Sequence, residues 1–184
     1  MALIPPAHAV HWRPMTLRDL PAVHAVAHQV HPSYFERLEV FAERLLLHPA
    51  GCRVLVQDGD GVIGYVLSHP WVFGDPPALD SLLSALPDHP DTLYLHDLAL
   101  LPAARGTGAG AIVVAQLREH AKSCGWSRMS LVAVNESLPF WRRQGFEVVG
   151  VPGLDARLAS YDPTACFMAA YSALPPVDIS GLPA

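Results

Sequence analysis

Three glycines between Arg105 and Gly110 form the part of this sequence best suited to hold an anion. They follow the apolar run Leu93–Leu101 and precede a run with helical spacing that starts at Ala111. Backbone N–H groups at the start of a helix converge and carry about half a positive charge. Glycine has no Cβ, so a phosphate can approach the backbone closely. The segment therefore predicts a phosphate or pyrophosphate site where a strand meets a helix.

Two common phosphate-binding motifs do not fit this loop. A P-loop needs a lysine directly after its last glycine, and no lysine follows Gly110. A dinucleotide-binding loop has a different glycine spacing and lies in the first strand–helix turn of its domain, whereas this loop lies in the middle of the chain. A glycine-rich turn with a purely structural role remains an alternative.

Two ionisable residues, His96 and Asp97, interrupt the apolar run just before the loop. Histidine side chains exchange protons near neutral pH, which makes His96 a candidate general base. Asp97 could bind an ammonium group or take its proton through a water molecule. Neighbours in a regular strand point to opposite faces, so we expect only one of the two to face a substrate unless a bulge intervenes. Either one could instead be a polar group satisfied within the sheet.

Length and composition exclude several classes of protein. The 184 residues suit one domain, predicted over 1–173, and the net charge of −5 argues against a nucleic-acid binder. No uncharged apolar stretch of about 18 residues predicts a membrane span, and the first residues do not resemble a signal peptide. Three cysteines, far apart, predict neither a disulfide framework nor a metal site. We expect a cytoplasmic protein without metal and without a nucleic-acid or membrane partner.

The elements that must position these residues follow the order β-α-α-β-β-β-α-β-α-β-β, which predicts an α/β domain with a mixed sheet. The expected strands are 10–14, 52–57, 62–68, 93–101, 129–134, 146–151 and 166–172, with a hairpin turn at 58–61. The first helix begins at Thr16 or Asp19 and ends at Val30. The second begins at Ser33. Its apolar stripe is Phe35, Leu38, Phe41, Leu45 and Leu46.

The other helices and the irregular segments complete this prediction. A helix over 111–123 is expected to turn one side inward, namely Ile112, Ala115, Leu117 and Ala121. Asn135 or Ser137 caps a short helix that Gly145 ends. Residues 70–91 hold five prolines and a short helix over 79–86, and we interpret them as an inserted excursion. A proline-rich tail occupies 174–184.

Two motifs together resemble those of the GNAT superfamily of acyl-CoA-dependent N-acyltransferases. Arg105-x-x-Gly108-x-Gly110 is similar to that family's acetyl-CoA signature. The segment from Asn135 to Phe146 resembles the helix that follows the family's fifth strand. The order of elements over residues 10–172 is similar too. The resemblance implies a mixed, mostly antiparallel twisted sheet flanked by helices, with splayed central strands.

The resemblance also implies which residues bind the co-substrate acetyl-CoA. The pyrophosphate would lie on the backbone N–H groups of Arg105, Gly106, Thr107, Gly108, Ala109 and Gly110. The pantetheine would pair with the backbone of Leu98, Ala99 and Leu100, and a backbone N–H of Leu98 or Ala99 would hold the oxyanion. The thiol end would be lined by Asn135, Phe140 and Trp141. His96 holds a place similar to that of a strand histidine in arylalkylamine acetyltransferases.

The chain departs from the family pattern at one position. The family usually has a tyrosine directly after Phe140, near the sulfur of CoA, whereas this chain has Trp141. An indole N–H donates a hydrogen bond but is not a useful acid near neutral pH. The proton for the thiolate would then come from water or from another group such as Tyr94, or would not be needed.

The main prediction is an N-acetyltransferase in which a primary amine attacks acetyl-CoA directly. Residues 54–104 contain no Lys or Arg, which favours a small cationic acceptor. One alternative is transfer to a protein or peptide. Another, motivated by Trp141, is a non-catalytic acyl-CoA-binding sensor. The resemblance also allows a homodimer.

Overall fold

The computed structural model describes residues 10–57, 61–134, 136–159 and 162–171. Three features predicted from the sequence lie outside these ranges: the turn at 58–60, the side chain of Asn135 and the tail at 174–184. In the described part of the chain, no helix is long and apolar enough to cross a membrane.

Seven strands form one sheet in the described residues, in the order β1-β2-β3-β4-β5-β7-β6. Their bounds are β1 Val10–Pro14, β2 Arg53–Gln57, β3 Gly61–Trp71, β4 Thr92–Leu100, β5 Arg128–Ala133, β6 Glu147–Val148 and β7 Cys166–Tyr171. Neighbouring strands are antiparallel except β4 and β5, which run parallel. The predicted mixed, mostly antiparallel sheet is therefore confirmed.

Helices cover both faces of this sheet. Their bounds are α1 Leu20–Val30, α2 Leu38–Leu47, α3 Ala109–Ser123, α4 Leu138–Arg143 and α5 Leu154–Ala159. On β3, Tyr65 and Leu67 pack with α1 and α2, whereas Val66 packs with α3 and α4. Alternate strand residues point to opposite faces, so α1 and α2 lie on one face and α3 and α4 on the other.

Two helices differ from their sequence predictions. The second begins at Leu38 rather than at Ser33, because residues 33–37 form a loop that carries its side chains toward the candidate site. The predicted stripe is therefore only partly buried: Phe41 and Leu45 are in the core, whereas Phe35, Leu38 and Leu46 are exposed.

The buried face of α3 is also shifted. Ile112 and Ala115 were expected inside and are exposed, whereas Val113 and Val114 are buried with Leu117 and Ala121 as predicted. The reason is that the helix already begins at Ala109, and the buried residues Ala109 and Gly110 set which side faces the sheet.

Three more elements were predicted wrongly. β3 continues to Trp71 instead of ending at Ser68, and residues 79–86 form turns instead of a helix. Hydrogen bonds from the backbone N–H groups of Leu83 and Ser84 to the carboxylate of Glu43 hold this segment. The strand predicted over 146–151 is only Glu147–Val148. A further element, α5, was not predicted.

Asp19 joins β1 to α1, as the predicted capping residues suggested. Its carboxylate accepts hydrogen bonds from both Nη atoms of Arg13, at 2.8 and 2.7 Å, and from the N–H and the hydroxyl of Thr16, at 2.8 Å each. The bond from Arg13 contributes most to lowering the pKa of Asp19 from 3.8 to about 2. This cluster fixes the start of the helix that leads to the candidate site.

We expect Asp19→Asn to lower the free energy of unfolding at pH 7 by about 2 kcal/mol, because a charge-assisted pair and a helix cap are lost. A carboxyl whose pKa is depressed in the folded state stabilises the fold above its unfolded pKa, and this contribution disappears as pH falls through the folded value. The difference between the variant and the unchanged protein should therefore shrink between about pH 4 and pH 2. Urea unfolding at several pH values measures it, with Asp88→Asn, an exposed site, as the control.

Candidate active site

A β-bulge places the two ionisable residues of β4 on the same cavity. β4 pairs with β3 through Leu67 and Asp97 and then through Ser68 and Leu95, which leaves His96 as an extra residue in β4. Such a bulge turns consecutive side chains toward one side of the sheet. His96 and Asp97 accordingly line the same two cavities instead of facing opposite ways.

The larger of these cavities lies where β4 and β5 separate. The two strands pair from Leu93 and Met129 to Leu95 and Leu131, and beyond that point they have no shared register. A cavity of about 690 Å³ occupies the space between them. The splayed central strands expected from the resemblance are therefore present.

The register of β4 decides which backbone groups face this cavity. The N–H of Leu101 donates to the carbonyl of Ile63 on β3, and Ala99 lies opposite Tyr65. Since alternate residues of an antiparallel strand direct their N–H and C=O groups to the same neighbour, Ala99 also faces β3. Leu98 and Leu100 face the other way and line the cavity. Of the three backbone positions expected to pair with pantetheine, the structure thus brings two to the cavity.

The glycine loop continues from this cavity to the start of α3. Arg105 lines the cavity, and its Nε donates to the carbonyl of Leu100 at 3.2 Å. Gly106 and Gly108 have φ values of +76° and +83°, a conformation that side chains rarely adopt, and a Cβ on either would meet open space. Thr107 is exposed as well, and its hydroxyl accepts a hydrogen bond from the N–H of Ala109. The loop therefore presents its backbone to solvent at a helix N-terminus.

The residues at the start of α3 are buried and have a packing role. Gly110 lies under the ring of Phe140, where a Cβ would be 3.1 Å from two ring carbons. Phe140 and Trp141 both line the larger cavity, with their ring centroids 4.9 Å apart. Trp141 is buried and also packs against Phe146. The second motif is thus brought to the same cavity as the first.

A smaller cavity of about 90 Å³ adjoins the larger one. The two share five lining residues: His31, His96, Asp97, Val132 and Val134. A group bound in the smaller cavity can therefore meet a group bound in the larger one beside the bulge of β4.

Two carboxylate–histidine pairs lie at this junction. Oε2 of Glu36 is 2.8 Å from Nε2 of His96, and Oδ1 of Asp97 is 3.1 Å from Nε2 of His31. Asp97 also accepts a hydrogen bond from the hydroxyl of Tyr65. The sequence analysis did not identify Glu36 or His31, which come from the loop between α1 and α2. The sequence held one indication of their role: the segment between the first two helices contains several ionisable residues, although part of it was predicted to be helical.

These contacts determine the charge of the site. Burial favours the neutral form of Asp97, but the contacts with His31 and Tyr65 together outweigh it and keep the pKa of Asp97 below its ordinary value. In the same way, burial favours the neutral form of Glu36, but its contacts with His96 and with the N–H of Asp80 together lower its pKa. The pKa of His31 is raised despite its burial, because Asp97 stabilises the imidazolium. The site therefore holds two ionised carboxylates, each beside a histidine.

In the described part of the chain, no three His, Cys, Asp or Glu side chains are grouped as metal ligands would be. The arrangement is suited to proton transfer next to a cavity that has open backbone groups and a glycine loop at a helix N-terminus.

Comparison with known proteins identifies the type of domain. The model of the Acetyltransferase (GNAT) family matches residues 13–146. Among curated protein sequences, none matches the chain significantly.

Three solved structures show the extent of the similarity in fold. A GphF GNAT-like decarboxylase in complex with isobutyryl-CoA has a TM-score of 0.71 at 16% identity, over 88% of this chain and 98% of that one. Ard1 from Thermoplasma volcanium has a TM-score of 0.68 at 14% identity, over 89% and 98% of the two chains. The ribosomal-protein-S18-alanine N-acetyltransferase from Escherichia coli has a TM-score of 0.63 at 14% identity, over 93% and 99%.

We expect Asp97→Asn to lower the pKa of His31, because the carboxylate that stabilises its imidazolium is removed. The measurement is an NMR titration of the His31 ring in both proteins, with Asp88→Asn as a control for loss of a carboxylate at an exposed site. An unchanged titration midpoint would show that Asp97 does not govern the charge of His31.

Proposed function

Because this chain belongs to the GNAT acetyltransferase family, we propose that it transfers the acetyl group of acetyl-CoA to a primary amine by direct attack of the amine nitrogen. The observation that carries this proposal is the junction of the two cavities at His31, His96 and Asp97. A thioester in the larger cavity and an amine in the smaller one would meet there.

The residues around the larger cavity fit the shape and charge of acetyl-CoA. We assign its pyrophosphate to the backbone N–H groups of the loop from Arg105 to Gly110, since Gly106 and Gly108 leave open space above the backbone. We assign its pantetheine arm to the backbone of Leu98 and Leu100, with Phe140 and Trp141 beside the thiol end. When bound, acetyl-CoA supplies an acetyl thioester to the site. Asn135 remains a predicted member of this set.

His96 is the proposed general base. The carboxylate of Glu36 can only accept a hydrogen bond, so Nε2 of His96 carries the proton and Nδ1 keeps its lone pair. An imidazole in this tautomer can take a proton from the ammonium group of the acceptor. Glu36 is a positioning residue, because it holds the ring of His96 and accepts the N–H of Asp80 at 3.0 Å.

The backbone N–H of Leu98 is the proposed oxyanion donor. The sequence left Leu98 and Ala99 as alternatives, and the register of β4 favours Leu98 because the backbone of Ala99 is directed to β3. A fixed N–H aimed at the developing negative charge is a common source of transition-state stabilisation.

His31 is the proposed source of the proton for the departing thiolate. Trp141 lies beside the larger cavity but cannot serve as an acid. Tyr94 lines the smaller cavity, on the side assigned to the acceptor. His31 lines both cavities, and Asp97 favours its protonated form. The C–N bond forms, the C–S bond breaks, and one proton passes from His31 to the sulfur. The second proton of the amine nitrogen leaves through water and restores His31, so that the overall reaction releases the one proton taken up by His96.

Two other functions follow from specific observations. Trp141 in place of a tyrosine favours a sensor that binds acyl-CoA without turnover. The similarity to a ribosomal-protein alanine N-acetyltransferase favours a protein or peptide acceptor. A screen of CoA thiol release with DTNB, using small amines and peptides with free N-termini, separates all three. Tight binding of acetyl-CoA without release of CoA in the presence of any acceptor would support the sensor.

We expect Gly108→Asp to weaken acetyl-CoA binding by at least about a hundredfold, because placing like charges side by side costs several kcal/mol. Isothermal titration calorimetry measures the affinity. Gly125→Asp is a matched control: Gly125 follows the other end of α3, has a φ of +80° and also faces open space. It introduces the same charge and backbone strain away from the loop, and its affinity should stay within about twofold. Equal affinities for both variants would reject the loop assignment.

We expect His96→Ala to reduce turnover at neutral pH by roughly a hundredfold or more, which is the usual contribution of a general base. The affinity for acetyl-CoA should be unchanged, since the pyrophosphate and pantetheine contacts remain. Turnover across pH 6–9 checks this, with His89→Ala, an exposed site, as the control. A variant with an unaltered pH–rate profile would remove His96 from the mechanism.

A further inference from the structure

The smaller cavity has polar groups next to the reacting centre, the hydroxyl of Tyr34, which donates to Asp162, and an apolar remainder. One wall consists of Pro77, Ala78 and Leu79, which we call the acceptor wall. Tyr94 of β4, Val132 of β5 and Val134 directly after β5 complete the lining. No Lys or Arg of the described residues lines this cavity. Its two carboxylates, those of Glu36 and Asp97, are each already bound to a histidine.

This lining discriminates between classes of amine. A second ammonium group would have no uncommitted carboxylate to pair with, and a substrate carboxylate would have no Lys or Arg partner. Burying a charge or a polar group without a partner costs free energy. Polyamines and amino acids with acidic side chains are therefore disfavoured, whereas an alkyl group or a single ring makes favourable contacts with the acceptor wall.

The size of the cavity limits the length of the acceptor. Its volume of about 90 Å³ is smaller than the roughly 150 Å³ of an apolar protein cavity that binds one benzene molecule. A short alkyl body fits inside it, whereas a ring or a longer body would extend into solvent past the exposed side of Leu79.

The acceptor wall is held rigidly by residues of α2 and of the loop before it. Asp80, directly after the wall, binds the carboxylate of Glu36 through its N–H and pairs with Nε of Arg37 at 2.9 Å. Arg44 donates to the carbonyl of Ser81 at 2.7 Å. Asp80 itself has a φ of +55°, a strained conformation that these contacts maintain. A rigid wall selects by shape instead of adapting to each acceptor.

We infer that the acceptor is a primary monoamine with a short apolar body, either alkyl or a single ring, and that Leu79 selects it. The inference rests on the proposed function and specifies its acceptor. Leu79 is not part of the proposed proton-transfer or CoA-binding groups, so changing it should alter selectivity and leave acetyl-CoA binding intact.

The first test compares acceptors with the unchanged protein. CoA release is measured as kcat/KM for isoamylamine, 2-phenylethylamine, 1,4-diaminobutane, glutamate and a peptide with a free N-terminus. We expect the two apolar monoamines to exceed the others by at least about tenfold, the range over which apolar pockets discriminate. A preference for the diamine, glutamate or the peptide would overturn the inference.

The second test changes the acceptor wall. Leu79→Glu should lower kcat/KM for the apolar monoamines by at least about tenfold and raise it for 1,4-diaminobutane by about fivefold, because the new carboxylate can pair with the second ammonium group. Leu82→Glu is the matched control, since Leu82 is an exposed leucine of the same segment that does not line the cavity. Parallel losses in both variants, or no change of preference in Leu79→Glu, would overturn the role of Leu79.

Failure of this inference can be distinguished from failure of the proposed function. If the diamine, glutamate or the peptide is acetylated best, the protein is an N-acetyltransferase and only the acceptor class is wrong. If no amine or peptide releases CoA while acetyl-CoA binds, the proposed function itself is rejected.

Discussion

β4 and β5 are paired as far as Leu95 and Leu131 and then separate, so that the outward backbone groups of β4 have no strand beside them. A backbone N–H or C=O that is removed from water needs a partner. At Leu100 the partner is the guanidinium of Arg105, and the group next in register, Leu98, lines the cavity. The cavity is thus a place where a ligand with its own amide groups can complete the sheet. The glycine loop follows β4, which brings the proposed pyrophosphate site to the end of the same cavity.

The bulge at His96 is the second constraint, because it gives the cavity its ionisable groups. A regular strand would have directed His96 and Asp97 to opposite faces. With the bulge, each histidine–carboxylate pair contains one member from β4 and one from the loop between α1 and α2. Buried ions are costly without partners, so this loop must stay in place for β4 to keep its two charged side chains. The same loop, through Glu36 and Arg37, holds the acceptor wall.

The sequence was sufficient to predict what is encoded locally. The glycine loop and the aromatic pair Phe140 and Trp141 lie in short motifs, and the structure brings both to one cavity. Because alternate residues of a strand face opposite ways, the sequence alone could have shown that Leu98 and Leu100 face one way and Ala99 the other. Glu36 and His31 could not be found in this way, because their partners on β4 lie some sixty residues along the chain. Ser33 provided an apparent helix start, which assigned Glu36 to a helix instead of a loop.

The acidic character of one segment of the chain was the reason for predicting a cationic acceptor, and the structure shows where the acidic residues of that segment lie. Residues 54–104 lack Lys and Arg, but most of their described aspartates lie outside the cavities. Asp80 pairs with Arg37 and Asp91 with Arg128, so two aspartates of this segment are balanced by basic residues from other elements. Asp97 is the member of this set that lines the smaller cavity, and His31 balances its charge. The proposed recognition of the acceptor therefore rests on the acceptor wall rather than on attraction of an ammonium group by the acidic segment.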